Sequence, residues 1–419
     1  MTSRTKSTVK LMGFGLTAAL ALSACGGGGF EEEGDGAGEQ SSAEGSAELT
    51  MLIASSGDAE TAAVQEAVDA WAEDTGNSVR VTVASDMNQE LAQGFASGNP
   101  ADVFYMDAGR FPDYAANGSL YAYGDEVEGA DDFYESLRTT FTFEDQFFCA
   151  PKDFSTLALQ INTAAWEKAG LTDADVPTTW EELADVAGTL TSGKQVGLGL
   201  TPGIDRLGAF VVQNGGWWLN DEGTEATAAT PEVIDALTYA QDNVKAGSFQ
   251  LSSQLDSGWG GEAFGTGRAA MTIEGNWIKG AMENDYPDLD YLTVELPEGP
   301  AGKGTLLFTQ CWGIAADSEA QAQAVDLVDA LTTVDQQMAF ADAFGVMPSR
   351  QSAADAYEEA YPEDAPFIAG GEYGRGPISA PGMEQVVADI NSQLENLRGA
   401  DIAGVMESFD TNAGSVLGS

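Results

Sequence analysis

Short apolar runs alternate with helical patterns from residue 49 onward, and this alternation constrains the fold more than any other feature. Residues 49–54 and 79–83 are runs typical of strands, and apolar side chains at helical spacing follow each of them. Residues 102–106 form the next such run, which ends at Asp107. Strands that alternate with helices predict a parallel sheet, whose carboxyl-end loops gather at one edge, where ligands bind. We therefore expect an α/β fold with a site at that edge.

The same alternation continues to the end of the chain. Later strands are predicted at residues 157–161, 196–200, 269–273 and 306–314. One helix start has two possible capping boxes, Thr178 with Glu181 or Thr179 with Glu182. Because 419 residues are too many for one compact core, we expect two lobes.

The charge balance and the absence of histidine exclude several classes of function. The formal charge is −50, from 17 basic and 67 acidic residues. Such a surface repels nucleic acid and anionic lipid, so we expect neither as a partner. Without histidine the chain has no His-based nucleophilic triad and lacks the commonest zinc and iron ligand sets. The acidic cluster at residues 285–290 lacks the glycine and glutamate of a calcium loop, and no cofactor is expected.

The N-terminus has the pattern of an export signal. Residues 1–24 carry three basic residues and then an apolar run, 11–22, that is too short to span a bilayer as a helix. Small residues directly before Cys25 resemble the lipobox of bacterial lipoproteins, in which the cysteine is diacylated and becomes the mature N-terminus. An ordinary signal peptide cleaved near Ala24 is the alternative. Residues 25–48 are mostly Gly, Glu, Ser and Ala, which predicts a flexible acidic tether.

The remaining two cysteines are candidates for a disulfide bond. If Cys25 carries lipid, Cys149 and Cys311 remain as a pair in an oxidising compartment, which favours a bond between them. Two small buried thiols are the alternative.

Several short runs, in this order and spacing, cover most of the chain after the leader. They are PADV at 100–103 before Asp107, PKD at 151–153 with INT at 161–163, EKAGL at 167–171, PTTWEEL at 177–183, FGTGRAAM at 264–271 and GNW at 275–277. Together they resemble the extracellular solute-binding proteins of bacterial ABC importers, in the carbohydrate-binding branch that includes maltose- and other oligosaccharide-binding proteins.

The resemblance implies a two-lobed, type II periplasmic-binding-protein-like fold with discontinuous lobes that close on a ligand. Three hinge crossings are expected near residues 153–156, 304–309 and 345–348. The N-terminal lobe would comprise residues 49–153 plus 308–345, and the C-terminal lobe 154–307 plus 346–419. A Cys149–Cys311 bond would then join two strands of the first lobe near the hinge, stiffening that lobe without locking closure.

Tryptophans are the first candidates for sugar contacts, because sugars present apolar C–H faces ringed by hydroxyls. Trp277 follows the predicted strand 269–273 and matches the stacking tryptophan of the family. Further candidates lie in loops or beside a proposed hinge: Trp217, Trp218, Trp259 and Trp312. For these four a core position is equally open, and it is the expectation for Trp71, Trp166 and Trp180.

Polar candidates for hydroxyl recognition cluster at the predicted strand ends and crossings. Asp107 is favoured because it ends a strand of the first lobe. The others are Ser55, Ser56 and Asp58, then Lys152, Asp153 and Ser155, then Glu274 and Asn276, and finally Arg350 and Arg375, which stand out because basic residues are scarce. For each one a solvated side chain or a helix cap is the alternative.

The sequence therefore predicts a monomeric, non-enzymatic receptor anchored by lipid at the extracellular face of the cell membrane. It would capture a small solute, a carbohydrate by preference, and deliver it to the permease subunits of an ABC importer. Two alternatives stay open. A secreted glycoside hydrolase would also contain aromatic residues and carboxylates, and a polyamine or other cation would suit the negative charge.

Overall fold

A computed structural model describes residues 46–55 and 57–418 of the chain. The predicted leader, the predicted lipidation site Cys25, most of the predicted tether and the candidate Ser56 lie outside these residues.

The strands are spread along the whole described chain. They are β1 Glu48–Ile53, β2 Ser78–Val83, β3 Val103–Asp107, β4 Thr142–Phe143, β5 Gln146–Phe147, β6 Pro151–Asn162, β7 Val196–Leu200, β8 Phe249–Leu251, β9 Ala269–Gly275, β10 Tyr291–Val294, β11 Thr305–Ile314 and β12 Gly374–Arg375.

Helices fill most connections between the strands. They are α1 Asp58–Thr75, α2 Met87–Ser97, α3 Phe111–Ala116, α4 Glu135–Thr140, α5 Thr163–Lys168, α6 Trp180–Leu190, α7 Ile204–Gln213, α8 Pro231–Ala246, α9 Gly260–Gly265, α10 Ile278–Asp285, α11 Gln321–Leu331, α12 Val334–Phe344, α13 Ala354–Ala360, α14 Ala365–Tyr373, α15 Glu384–Leu394 and α16 Ile402–Leu417. None of the helices within 46–55 and 57–418 is long and apolar enough to cross a bilayer.

One mixed sheet runs through the molecule. Its strand order is β2-β1-β3-β11-β6-β9-β7-β8, with β10 beside β6 and β12 beside β11. The pairs of β1 with β2 and β3, and of β7 with β8 and β9, are parallel, as the βα alternation predicts. Between them, β6 and β11 run antiparallel to each other and join the two parallel parts.

Two separate hydrophobic cores lie on either side of these long strands. The first core takes its residues from 49–150 and 311–346, and the second from 157–306 and 378–417. The chain therefore passes between the cores three times, and a smaller cluster that includes Phe154, Leu307 and Met347 surrounds the crossings. We call the parts packed around these cores the first and the second lobe.

Strand β6 is longer than predicted. The sequence predicts a strand over 157–161, which pairs with β9, but residues 151–156 extend it by pairing with β11. The sequence did not predict this extension, because the polar side chains of Lys152, Asp153 and Ser155 interrupt the apolar run.

The start of helix α6 distinguishes between the two predicted capping boxes. The backbone N–H of Glu182 donates to Oγ1 of Thr179 over 3.3 Å, and the N–H of Thr179 donates to Oε2 of Glu182 over 3.2 Å. The Thr179–Glu182 box is therefore the one formed, and such a cap contributes about 1 kcal/mol.

Cys149 and Cys311 form a disulfide bond, with their Cα atoms 5.7 Å apart. Both cysteines belong to the first core, where the bond joins the segment before β6 to strand β11. The predicted pairing is confirmed, and the bond lies within one lobe.

Candidate ligand-binding site

A cavity of about 580 Å³ lies between the two lobes. It is bounded by the end of β3, the polar start of β6, the loop after β9 and the segment around β12. The predicted site residues that line it are Asp107, Asp153, Ser155, Trp217, Trp218, Asn276, Trp277 and Arg375, together with Lys152. The sequence-based expectation of a site at the carboxyl end of β3 thus coincides with a cavity.

Trp277 presents a large aromatic surface to this cavity. It directly follows β9, is 37% exposed, and packs edge-to-face against Phe308 with ring centroids 5.1 Å apart. The indole also lies over Gly275, where a Cβ atom would be 2.2 Å from Cζ3 of Trp277. Glycine at this position therefore lets the indole fold back against the strand end.

Glu274 lies behind Trp277 and is wholly buried. Its Oε2 accepts hydrogen bonds from Nη2 of Arg206 at 2.5 Å and from Nε1 of Trp277 at 3.2 Å, and its Oε1 accepts one from Oγ1 of Thr201 at 2.7 Å. The Arg206 guanidinium lies 5.0 Å from the Trp277 ring and 5.6 Å from that of Phe308. Glu274 was predicted to bind hydroxyls, but it does not line the cavity. It instead positions Trp277, which does.

A buried ion-pair network forms another wall. Nζ of Lys152 lies 3.2 Å from Oε1 of Glu60, pairs with Asp153, and sits 4.6 Å from the Tyr105 ring centre. The Tyr105 hydroxyl donates to Oε1 of Glu60 over 2.9 Å. Burial alone would lower the pKa of Lys152, but the surrounding groups, Asp153 above all, raise it above the ordinary lysine value. Lys152 therefore stays charged, in a network already satisfied before a ligand arrives.

Two cavity carboxylates lack a cationic partner within 4.0 Å among the described residues. Asp107 comes from the first lobe and accepts a hydrogen bond from the N–H of Gly109 at 2.9 Å, while Asp205 begins α7 of the second lobe. Limited hydration in the cleft raises the pKa of both groups, although the N–H of Gly109 and the charge of Arg110 oppose this for Asp107, and the charge of Arg206 opposes it for Asp205. Such carboxylates can accept hydrogen bonds from ligand hydroxyls or pair with a ligand cation.

The opposite end of the cavity is built around Trp217. The Arg375 guanidinium lies 4.8 Å from the Trp217 ring centre and pairs with Asp221 at 3.0 Å. Trp218 is fully buried, with its ring centroid 6.2 Å from that of Trp217. Trp217 therefore supplies a second aromatic surface, and the Arg375 guanidinium packs against it.

Asn276 and Ser155 connect the cavity to the crossings. The side-chain amide of Asn276 donates to the carbonyl of Gly345 over 2.8 Å, and its backbone N–H donates to Oγ of Ser155 over 3.1 Å. Both residues are buried, so their first role is to hold the loop that carries Trp277.

The two lobes touch beside the cavity. Nη2 of Arg110 lies 2.5 Å from Oε1 of Glu384, and the N–H of Gly382 donates to Oδ1 of Asp113 over 2.7 Å. These contacts join α3 to the start of α15, and Arg110 and Glu384 both line the cavity.

Besides Glu274, the predicted site residues Ser55 and Asp58 do not line the cavity, and three more lie elsewhere in the fold. Trp312 is fully buried in the first core, edge-on to Tyr105. Trp259 packs in a small cluster with Phe264, away from the cavity. Arg350 is buried and uses its guanidinium on backbone carbonyls, including those of Gly129 at 2.9 Å and Glu128 at 2.8 Å. The sequence left a structural role open for Trp259, Trp312 and Arg350, and the structure places all three in packing or hydrogen bonding within the protein.

Sequence reasoning missed several cavity groups, including Arg110 and Glu384. Asp205 and Phe308 line the cavity directly, and Arg206 lies against its aromatic residues. Glu60 comes from the first turn of α1, lines the cavity and pairs there with Lys152. The available signals were weak: Arg206 is one of only 17 basic residues, and Phe308 falls in a predicted crossing. Within residues 46–55 and 57–418, no group of three or more acidic or cysteine side chains is placed to hold a metal ion.

Solved structures of binding proteins share this architecture. The ABC substrate-binding protein of Listeria monocytogenes in complex with cycloalternan matches with a TM-score of 0.78 at 20% identity, covering 89% of this chain and 100% of that one. The cyclic alpha-maltosyl-1,6-maltose binding protein of Arthrobacter globiformis matches with a TM-score of 0.78 at 21% identity, covering 89% and 99%. UgpB of Mycobacterium tuberculosis, in complex with glycerophosphocholine, matches with a TM-score of 0.77 at 20% identity, covering 89% and 99%. At these identities the likeness establishes a shared fold.

The family assignment comes from the sequence itself. The family model described as bacterial extracellular solute-binding protein matches residues 54–338, which is more than half of the chain. The chain, with its two lobes and the cavity between them, therefore belongs to the bacterial extracellular solute-binding protein family.

Proposed function

We propose that this protein is the substrate-binding receptor of an ABC importer and that it captures a sugar or oligosaccharide between its lobes. The observation that carries the proposal is the exposed indole of Trp277 in a cavity that also holds the carboxylates of Asp107 and Asp205. A flat aromatic face suits the apolar face of a sugar ring, and fixed acceptors suit its hydroxyls. The cycloalternan and maltosyl-maltose names of two similar structures support the same ligand class.

The ligand contacts in this proposal come from both lobes. Trp277, Trp217 and Arg375 provide stacking surfaces and a guanidinium, while Asp107 and Asp153 accept hydroxyl hydrogen bonds. The lobes comprise residues 49–153 plus 308–345 and 154–307 plus 346–419, and they close on the ligand. The protein acts as a monomer and does not turn its ligand over.

Delivery requires the protein to stay near a permease, and we propose that Cys25 carries the lipid that holds it there. Residues 25–48 then act as a tether at the extracellular face of the membrane. Mass spectrometry of the mature protein tests this directly, since diacylation of Cys25 fixes both the N-terminus and the added mass. A Cys25→Ala variant should appear in the medium, and its retention in the membrane fraction would contradict the anchor.

A thermal-shift screen tests the ligand class. A ligand that binds only the folded state stabilises it by about 2.7 kcal/mol at a hundred times its dissociation constant. We expect mono- and oligosaccharides to raise the melting temperature, with saturable quenching of tryptophan fluorescence. Incubation with the same sugars should release no shorter product, whereas turnover would favour a glycoside hydrolase.

A cationic solute is the second candidate, and one observation favours it. Asp107 and Asp205 face the cavity, and in the described part of the chain neither forms an ion pair within 4.0 Å, although Arg110 and Arg206 act on them from farther away. A polyamine carries enough positive charge to neutralise both, while a choline group could pair with one of them, and UgpB in the comparison holds glycerophosphocholine. The screen therefore includes spermidine and glycerophosphocholine, and a shift with these but with no sugar would overturn the sugar assignment.

A further inference from the structure

A second cavity continues from the first along the boundary between the lobes. Its volume is about 1060 Å³, and it shares four wall residues with the first cavity: Trp217, Arg375, Gly376 and Pro377. One side is formed by the segment from α4 to the β4–β5 hairpin in the first lobe, and the other by residues 219–224 and 379–382 of the second. The two cavities thus adjoin at Trp217 and Arg375.

The wall of the second cavity has the chemistry of a polyhydroxyl-binding surface. It combines hydroxyl, amide and carboxylate groups with the half-buried ring of Phe143. Its polar groups include the side chains of Thr139, Glu144, Thr224 and Ser379. Apart from Arg375, which pairs with Asp221 at 3.0 Å, the charged groups in this wall are all acidic, so an anionic ligand would be repelled.

The hairpin at the rim of this cavity is strained at its tip. β4 and β5 are joined by two residues, Glu144 and Asp145, whose φ angles are 49° and 61°. A two-residue loop with both residues in the left-handed region favours Asn-Gly, because side chains with a Cβ atom adopt that region at a cost. The turn therefore holds an exposed glutamate at the cavity edge at the expense of stability. Glu144 makes no ion pair with any described residue.

We infer that the second cavity receives the distal units of a linear, non-acidic oligosaccharide whose first unit stacks on Trp277, with Glu144 accepting hydrogen bonds from its hydroxyls. The inference rests on the proposed function and deepens it, because it makes the preferred ligand longer than the first cavity alone can hold. Strain retained at a site that touches a ligand is a common feature of binding surfaces.

Chain-length dependence is the first test. The dissociation constants of maltodextrins, cellodextrins and xylo-oligosaccharides of one to six units are measured by titration calorimetry with the whole mature protein. In at least one series, affinity should rise about tenfold or more between the shortest binding sugar and the hexamer. If no sugar binds, the proposed function fails as well. If sugars bind with affinity independent of length, only the present inference is overturned.

The strained turn supplies a variant in which stability and binding should move in opposite directions. Glu144→Asn with Asp145→Gly should raise the melting temperature, because Asn-Gly fits the turn, yet lower affinity for the hexamer about tenfold while leaving the shortest sugar unchanged. The matched control is Asp145→Gly alone, which should raise the melting temperature and keep hexamer affinity. A double variant that binds the hexamer as tightly as the parent would overturn the role of Glu144.

Discussion

The indole Nε1 of Trp277 donates to Oε2 of Glu274 over 3.2 Å, and that carboxylate is wholly buried. The same oxygen accepts two hydrogen bonds from Arg206, whose guanidinium lies against the Trp277 ring. One residue that a ligand cannot reach therefore fixes both the aromatic platform and the cation behind it. A sugar would meet a surface whose orientation is set before binding, which limits the ordering cost of association.

Glu274→Gln should lower the free energy of unfolding, because the buried carboxylate bonds to Arg206 and Trp277 and does not line the cavity. The change keeps the shape but leaves the buried Arg206 guanidinium without its counter-charge, for which we expect a loss of about 3 kcal/mol in the free energy of unfolding. Urea denaturation measures it. The control is Lys303→Gln, which breaks the exposed pair with Glu295 at 2.6 Å and should cost less than about 1 kcal/mol. Equal losses in both variants would contradict the structural role assigned to Glu274.

Trp277→Ala should weaken binding of the sugar found in the screen by about 2 kcal/mol, or roughly thirtyfold. The reason is the loss of the stacking surface, so Trp277→Phe should recover part of the affinity. Calorimetric titration measures both. Trp259→Ala is the matched control, since Trp259 lies outside the cavity, and its affinity should equal that of the parent protein. Undiminished binding by Trp277→Ala would remove the central contact from the proposal.

The sequence predicted well the strand ends that border the cavity, because a strand end is a local feature. The run before Asp107 places that carboxylate at the edge of the sheet from pattern alone, and GNW places Trp277 after β9 in the same way. The disulfide followed from cysteine counting, which needs no three-dimensional information.

Residues whose position depends on distant segments could not be assigned from sequence. Trp312 lies on a central strand between β3 and β6, so its side chain enters the first core, although its place near a crossing suggested a ligand contact. Arg350 donates to carbonyls more than 200 residues away in sequence. Glu60 lies in the first turn of a helix like an ordinary acidic residue of a helix start, and its partners at the cavity, Tyr105 and Lys152, come 45 and 92 residues later.

Affinity for a neutral sugar should fall as the pH is lowered from 7 toward 4. Both side chains are exposed to the cleft, but the surrounding protein limits their hydration and raises the pKa of Asp107 and of Asp205, so each loses its charge above the usual aspartate value of about 3.9 and then accepts hydroxyl hydrogen bonds less well. Affinity measured across this range should flatten in Asp107→Asn with Asp205→Asn. A pH profile identical to that of the parent would contradict the assignment.

The contribution of Asp107 to the free energy of unfolding should increase as the pH is lowered, whereas its contribution to ligand affinity should decrease. Because the folded pKa of Asp107 is raised, the folded state holds the proton more tightly than the unfolded chain. The contribution to unfolding free energy is therefore complete below the unfolded pKa of about 3.9 and is lost as the pH rises through the folded value. The difference in unfolding free energy between the parent protein and Asp107→Asn, followed by urea denaturation from pH 7 to about pH 4, should shift in favour of the parent.

The ion pair between Arg110 and Glu384 should favour the closed arrangement only modestly. Both side chains are partly exposed, at 29% and 61%, so water and salt screen their interaction. Arg110→Gln and Glu384→Gln should each weaken binding by less than about fivefold, mainly through faster dissociation, and a double-mutant cycle should give a coupling of about 1 kcal/mol or less. The effect should vanish in 1 M salt, and a coupling that survives high salt would point to a different contact.

Removing the disulfide should lower stability and leave ligand affinity nearly unchanged. The bond closes a loop with a sequence separation of 162, for which measured losses are typically about 2 to 4 kcal/mol, against about 5 in the chain-entropy model. Because Cys149 and Cys311 both belong to the first core, the bond does not tie one lobe to the other. Cys149→Ser with Cys311→Ser should therefore melt at a lower temperature yet bind within about twofold of the parent. A twofold change in the dissociation constant is about 0.4 kcal/mol, far less than the expected loss in the free energy of unfolding. A large loss of affinity in a variant that is fully folded at the assay temperature would mean that the bond also controls the position of Lys152 and Asp153, which follow Cys149 at the start of β6.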